Sequence, residues 1–188
     1  MQIPAMKTNL RHFAYAFAIL TAIVGFSAGT PRALIAQGYT SPQASVAGVI
    51  GGKHITVEYY APSMHGRKIM GDLVPYGEVW CTGANWATKI TTPAALDIGG
   101  LKVPAGSYSI WTIPNATEWT LIVNKTTGQF HLDYDAATDF GRTKMNLKKL
   151  PAPVETFRIE LRPGEGNKGT LALLWENTEA SVPLTILP

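Results

Sequence analysis

The chain is poor in cysteine: Cys81 is the one cysteine among its 188 residues. A lone cysteine cannot form an internal disulfide, so other interactions must hold the fold together. A lipid-modified cysteine near the N-terminus is excluded for the same reason. About 150 residues follow the candidate leader described next, and a domain of that size buries roughly 70% of its extended-chain surface, enough to fold without cross-links.

Long apolar runs are also lacking. The N-terminal run Phe13–Phe26 has about fourteen residues, whereas a membrane-spanning helix needs roughly 20. Lys7 and Arg11 precede this run and small residues follow it at 27–29, an order typical of a secretory signal peptide. We therefore predict a leader over residues 1–36, cleaved near 29/30 or 36/37, and a single domain over residues 37–188. A buried N-terminal helix is the alternative. The leader predicts an exported protein, periplasmic or extracellular, with no membrane anchor after cleavage.

The domain lacks an excess of either charge. Three of the 16 basic residues precede Gln37 and none of the 13 acidic residues does, so the part that follows is nearly neutral. A nucleic-acid-binding surface needs clustered Lys and Arg. The nearest approach to a cluster is Lys144, Lys148 and Lys149, which we interpret as a solvated loop. Nucleic acid is therefore not expected as a partner.

Sustained helical periodicity is absent after the leader, and alternating apolar residues take its place. In Phe157–Arg162 the apolar side chains face one way and the charged ones the other, as in a half-buried strand. Two Gly-Gly pairs, Gly51-Gly52 and Gly99-Gly100, separate short apolar runs and predict tight hairpins. Eight to ten short strands at this spacing predict an all-β, antiparallel β-sandwich, with jelly-roll and immunoglobulin-like topologies as alternatives.

The segment from Tyr59 to Thr91 interrupts this rhythm and is dense in glycine, aromatic and polar residues. Its motifs, with others along the domain, resemble the domain of unknown function 2911 family of exported bacterial proteins. The matching pieces are Ser41-Pro42, Tyr60-Ala61-Pro62-Ser63, Gly66-Arg67-Lys68-Ile69, Leu73-Val74-Pro75-Tyr76-Gly77-Glu78-Val79-Trp80, Thr82-Gly83-Ala84-Asn85, Pro104-Ala105-Gly106-Ser107-Tyr108-Ser109 and Pro153-Val154-Glu155-Thr156-Phe157.

The resemblance spans roughly Ser41 to Ile186 and implies a secreted or periplasmic β-sandwich-like domain. It implies no activity. In the family pattern arginine usually follows the tryptophan, whereas this chain has Cys81. If a family ligand relied on that cation, this chain would bind it less well or bind something different.

The same segment holds the candidate binding residues. Aromatic faces offer flat apolar contact of the kind that sugar rings prefer, and amide and guanidinium groups fix orientation by hydrogen bonds. The alternative is that the aromatic rings are core and that the polar side chains bind loop carbonyls. The predicted ligand-binding residues are Tyr59, Arg67, Tyr76, Trp80, Asn85 and Lys89.

Other chemistry has weaker support in the sequence. His54, His65 and His131 lack the usual spacings of a metal site, so neither metal nor cofactor is predicted. Cys81 has no local motif of a nucleophile, and a buried thiol is the simpler interpretation. Asp133, Asp135 and Asp139 could supply paired carboxylates for glycoside hydrolysis, although turns also favour aspartate.

Three functions remain open at the level of sequence. The first is a binding module for a small-molecule or glycan ligand, using the segment from Tyr59 to Thr91. The second is a secreted hydrolase, and the third is an envelope structural or interaction protein without a small-molecule site. The sequence decides neither whether the protein is an enzyme nor its oligomeric state.

Overall fold

Nine β-strands supply nearly all the regular structure of residues 41–188, the part of the chain that the computed structural model describes. They are β1 Gln43–Ile50, β2 Lys53–Tyr60, β3 Thr88–Thr92, β4 Leu96–Ile98, β5 Leu101–Val103, β6 Gly106–Ile113, β7 Trp119–Asn124, β8 Asp139–Pro163 and β9 Lys168–Ile186, with one 3-10 turn at Ala136–Thr138. The predicted signal peptide over residues 1–36 lies outside the described residues. Within residues 41–188, no helix is long and apolar enough to cross a membrane.

All nine strands belong to one antiparallel sheet, in the order β1-β2-β3-β6-β7-β8-β9-β4-β5. The prediction of an all-β antiparallel domain is confirmed. Both glycine pairs form the expected hairpin turns: Gly51 and Gly52 have φ of 55° and 73°, and Gly99 and Gly100 have φ of 57° and 93°. Positive φ at both central positions is what such a turn requires, and glycine adopts it without steric cost.

The sheet folds over on itself through its two long strands. β8 pairs with β7 through residues 139–145 and with β9 from Asn146 onward. The folded sheet brings β1 against the far part of β8, so closely that a Cβ atom on Gly48 would lie 2.9 Å from the Cβ of Leu161. Two layers therefore face each other, but they are halves of one sheet rather than two separate sheets.

The main core fills the space between the two halves. Ile55 and Val57 of β2 pack in the same cluster as Leu171 and Leu173 of β9. A smaller cluster contains Cys81 and Trp111, together with Ala87 and Ile122. At a length of 25 and 19 residues, β8 and β9 are much longer than the predicted short strands.

Three lysines are placed differently from the prediction. Lys144, Lys148 and Lys149 are exposed, as expected, but they lie on β8 rather than in a loop. Met145, which follows Lys144, is buried. Such alternation of charged and apolar residues is typical of a strand with one solvent-exposed face.

Candidate functional site

A long connection between β2 and β3, residues 61–87 and here called the connecting loop, contains most of the distinctive segment. It is fastened to the rest of the domain at several points. Phe157 donates its backbone N–H to the carbonyl of Pro62 at 2.8 Å, and the hydroxyls of Ser63 and Thr156 lie 2.7 Å apart. Further along, Trp80 and Thr112 exchange two backbone hydrogen bonds of 2.8 and 2.9 Å. Backbone hydrogen bonds and one side-chain hydrogen bond therefore hold the connecting loop against β6 and β8.

Glu176 of β9 fastens the middle of the connecting loop. Its two carboxylate oxygens accept hydrogen bonds from the backbone N–H groups of Ile69 and Met70, each at 3.2 Å. Ile69 is fully buried and Met70 nearly so. One side chain from the opposite half of the domain thus satisfies two adjacent loop amides, which would otherwise be costly to bury.

Unfavourable backbone conformations are concentrated in and around this loop. The non-glycine residues with positive φ in residues 41–188 are His65, Thr82, Asn85 and Glu176, with φ between 48° and 59°. Three lie in the connecting loop, and the fourth, Glu176, accepts the two loop hydrogen bonds described above. Such conformations cost roughly 1–3 kcal/mol each and tend to occur at functional sites. Thr82 is the most unusual of them, because β-branched residues rarely adopt positive φ.

The connecting loop forms most of a cleft of about 430 Å³, here called the main cleft. This volume falls in the usual range for small-molecule sites, about 300–1,000 Å³. Three parts of the loop line it, joined by residues from distant parts of the chain. The lining residues are Ser41, Pro62, Ser63, Arg67, Leu73, Val74, Pro75, Val79, Trp80, Cys81, Gly83, Ala84, Asn85, His131, Leu132 and Trp175.

Apolar side chains are exposed around the main cleft. Leu73, Val79 and Leu132 line it with 46%, 36% and 77% of their surface in solvent. Trp86 and Phe130 lie beside its lining residues in the chain and make an edge contact with ring centres 5.5 Å apart. Scattered exposed apolar residues are ordinary, but three that line one concave site indicate an apolar binding surface.

Trp80 is the aromatic anchor of the main cleft. Its half-buried indole stacks on Trp175 at 5.8 Å and meets Trp119 and Phe157 edge-on. The indole N–H donates to the carbonyl of Gly83 at 2.9 Å. Because its polar atom is satisfied within the loop, Trp80 offers the cleft a rigid aromatic surface.

Arg67 both lines the main cleft and orders the loop. Its Nε donates to the carbonyl of Met64 at 2.9 Å, and one terminal nitrogen donates to the carbonyl of Ser63 at 2.7 Å. These bonds fix the plane of the guanidinium. Arg67 therefore lines the cleft and also binds loop carbonyls, as each of the two sequence interpretations described.

Asn85 lines the main cleft from a left-handed turn. Its φ is 59°, and its carbonyl accepts the backbone N–H of His131 at 2.8 Å. Asparagine tolerates this conformation better than most residues. The pairing brings His131 and the exposed Leu132 to the cleft, although they are some 45 residues away in sequence.

The other three predicted site residues lie elsewhere. Tyr59 is a core residue, packed edge-on against Phe157 with ring centres 5.7 Å apart. Lys89 forms an ion pair with Glu58 across strands β2 and β3. Both contribute to a second, smaller cleft of about 170 Å³, the side cleft, which Tyr60, Trp86 and Gln43 also line. Tyr76 is 44% exposed and lines neither cleft.

Nucleophilic and metal chemistry find little support in the described residues. Burial raises the pKa of Cys81 to about 12, so its thiol is protonated near neutral pH and is a poor nucleophile. Within residues 41–188, no three histidine, cysteine, aspartate or glutamate residues are grouped as metal ligands. His131 lines the main cleft, whereas His54 and His65 line neither described cleft.

The predicted carboxylate cluster has structural partners. Asp135 caps the 3-10 turn by accepting the N–H of Ala137 at 2.9 Å. Asp139 accepts the hydroxyl of Tyr134 at 2.8 Å and a terminal nitrogen of Arg142 at 2.8 Å. No aspartate or glutamate is among the described residues lining the main cleft, so it lacks the paired carboxylates of a glycoside hydrolase.

The chain belongs to a family described as a protein of unknown function (DUF2911), whose model matches residues 41–184. The matched region covers nearly all of the described residues and includes every residue of the predicted site, so the resemblance found in the sequence motifs is confirmed. No curated protein and no solved structure matches the chain.

Proposed function

We propose that the domain is a ligand-binding module and that its ligand occupies the main cleft. The observation that carries the proposal is the cleft itself: about 430 Å³, with exposed Leu73, Val79 and Leu132 beside the rigid indole of Trp80. Preformed, mainly apolar clefts with a few polar groups are the usual form of small-molecule sites. The domain would act after export, in the periplasm or outside the cell, if the predicted leader is cleaved.

A carbohydrate ligand has less support than a more apolar one. Two tryptophans, Trp80 and Trp175, are in the described lining of the main cleft, and Trp175 is almost fully buried. The described lining also contains no carboxylate to accept hydrogen bonds from sugar hydroxyls. The side cleft has the aromatic and acidic groups that a sugar prefers, but its volume is about 170 Å³ and Lys89 already pairs with Glu58.

A cleft-blocking variant tests the proposal directly. Ala84 lines the main cleft and is half-buried, so a phenylalanine there would occupy ligand space. Ala105, exposed between β5 and β6, gives a matched control. In a ligand-observed NMR screen of a diverse small-molecule library, we expect hits with the wild type and Ala105→Phe that are lost in Ala84→Phe. Hits retained in Ala84→Phe, or no hits with the wild type, would contradict the proposal.

A further inference from the structure

The two indoles that line the main cleft already use their polar atoms within the fold. The N–H of Trp80 donates to the carbonyl of Gly83 at 2.9 Å, and the N–H of Trp175 donates to the carbonyl of Glu155 at 3.2 Å. An indole has no other donor and no acceptor of this kind. What these two rings can offer a ligand is therefore apolar surface.

Two polar side chains of the connecting loop that line the cleft also serve the fold. Arg67 donates to the carbonyls of Ser63 and Met64, at 2.7 and 2.9 Å, and these are not its only interactions. The hydroxyl of Ser63 lies 2.7 Å from that of Thr156 on β8. Arg67 is therefore a cation that orders the loop, and an anion that needed it would have to compete with the partners it has.

The other ionisable groups of the described lining offer little to a charged ligand. No aspartate or glutamate is among them, so a cation would find no carboxylate. Apart from Arg67, the basic group is His131, whose Nδ1 lies 3.3 Å from the carbonyl of Asn85 and whose ring lies 4.2 Å from that of Phe130. A charged ligand would lose hydration at a site whose basic groups already have partners, a cost that a neutral ligand does not have.

The same cleft leaves apolar surface in contact with water. Leu73, Val79 and Leu132 are exposed there, and covering them is favourable in proportion to the apolar area removed from water. The size of the cleft bounds the size of the ligand. Because an apolar cavity of about 150 Å³ binds benzene, a cleft of about 430 Å³ has room for two or three fused rings.

From these observations we infer that the main cleft binds a small uncharged molecule made mostly of hydrocarbon, about the size of two or three fused rings. Its apolar surface lies against Leu73, Val79 and Leu132. This inference rests on the proposed function and specifies its ligand class. The cleft discriminates against an anion because Arg67 and His131 have partners in the fold, and against a cation because the described lining holds no carboxylate.

Three naphthalenes that differ in one substituent test the inference: 2-naphthol, which is neutral at pH 7, 2-naphthoate and 2-naphthylmethylammonium. In isothermal titration calorimetry at pH 7, 2-naphthol should bind at least ~10-fold more tightly than either ion. Phenol has one ring fewer and covers less apolar surface, so it should bind roughly 10-fold more weakly than 2-naphthol.

Variants of an exposed leucine test the role of the apolar lining. Because Leu132 is 77% exposed, Leu132→Ala removes contact surface without removing a core side chain, and it should weaken 2-naphthol binding ~3-fold or more. Val49→Ala, at an exposed position of β1 outside the cleft, is the matched control and should bind like the wild type. Leu132→Lys adds a cation at the cleft and should raise the affinity for 2-naphthoate relative to 2-naphthol at least ~3-fold.

A measurement on the wild type keeps the test independent of folding in the variants. Raising the salt concentration should leave the affinity for 2-naphthol nearly unchanged, because salt screens charge interactions and a neutral ligand makes none. Either ion binding as tightly as 2-naphthol, phenol binding as tightly as 2-naphthol, Leu132→Ala binding 2-naphthol like the wild type, or no binding of any of these probes would overturn the ligand class. If library compounds still bound and Ala84→Phe still abolished that binding, the proposed function would stand without this ligand class.

Discussion

Removing the carboxylate of Glu176 should loosen the connecting loop more than it unfolds the domain. That side chain reaches from β9 to the adjacent N–H groups of Ile69 and Met70, both at 3.2 Å. Replacing it with alanine would leave two buried amides without these acceptors. The main cleft depends on the same loop for most of its lining, so the effect should reach the site as well as stability.

The magnitude follows from the geometry. A hydrogen bond to a charged group contributes about 1.5–3 kcal/mol at best, but both bonds lie at the long end of the normal range and Glu176 is half-buried. We assign about 1 kcal/mol to each bond, so Glu176→Ala should cost about 2 kcal/mol. Glu176→Gln keeps one acceptor oxygen and should cost about 1 kcal/mol. Glu176→Gly loses both bonds but removes the strain of a φ of 52°, which is about 1 kcal/mol. Its net cost in the free energy of unfolding should therefore be about 1 kcal/mol.

Urea denaturation followed by tryptophan fluorescence would measure these differences in the free energy of unfolding. Hydrogen exchange at the amides of Ile69 and Met70 would report the loop separately, and their protection should fall in Glu176→Ala. Glu165→Ala, in the exposed turn between β8 and β9, is the control and should change neither readout. Unchanged amide protection in Glu176→Ala, or a free energy of unfolding as high in Glu176→Ala as in Glu176→Gly, would contradict this role of Glu176.

Three further predictions concern the rest of the domain. Because burial raises the pKa of Cys81 to about 12 from an ordinary 9.0, its native thiol should react with a thiol reagent only after unfolding. Above pH 9 the thiol ionises in the unfolded chain first, so the free energy of unfolding should fall more steeply with pH in the wild type than in Cys81→Ala. Hydrogen bonds from Arg162 lower the pKa of Glu179. Arg162→Met should therefore lower the free energy of unfolding by about 1–2 kcal/mol at pH 7. In urea titrations, this difference from the wild type should shrink as the pH falls through the range in which Glu179 is protonated. Gly99→Ala should lower the melting temperature more than Gly100→Ala: both positions have positive φ, but only at Gly99 would a Cβ lie 2.6 Å from a valine methyl of β9.

Local signals predicted the strands and turns that depend on local chemistry. The two glycine pairs form hairpins at the expected positions, since positive φ at consecutive residues nearly requires glycine. The great length of β8 was not predicted, because Pro151 and Pro153 within it are typical of strand ends. The strand continues past them through two register shifts, between Lys149 and Val154 and between Val154 and Arg158.

Three of the six predicted site residues line one cleft. Arg67, Trp80 and Asn85 lie close in sequence, and the structure brings them to one cleft. Leu132 reaches that cleft through the backbone hydrogen bond between His131 and Asn85, and Trp175 reaches it from β9. Short-range sequence patterns encode neither contact. Their absence from the prediction is therefore expected. Leu73 and Val79 could not be distinguished locally, because their apolar neighbours Ile69, Met70 and Val74 are buried instead.

Two of the predicted site residues, Tyr59 and Tyr76, have packing roles instead. Tyr59 serves the core, and its hydroxyl accepts the backbone N–H of Ile159 at 3.2 Å. Tyr76 covers Gly71, where a Cβ atom would lie 2.7 Å from its ring. The sequence predicted that aromatic rings would gather in this segment, but only the folded arrangement separates rings that line a cleft from rings that pack.

The most direct test of the central claim is a map of the amides that a bound ligand perturbs. Any compound that binds would be titrated into isotopically labelled protein, and backbone amide shifts would be recorded over residues 41–188. The largest shifts should occur at Arg67, Trp80, Asn85 and Leu132, and they should be lost in Ala84→Phe. Shifts centred on the side cleft or on strands β4 and β5, with no shift at residues of the main cleft, would contradict the proposed binding site.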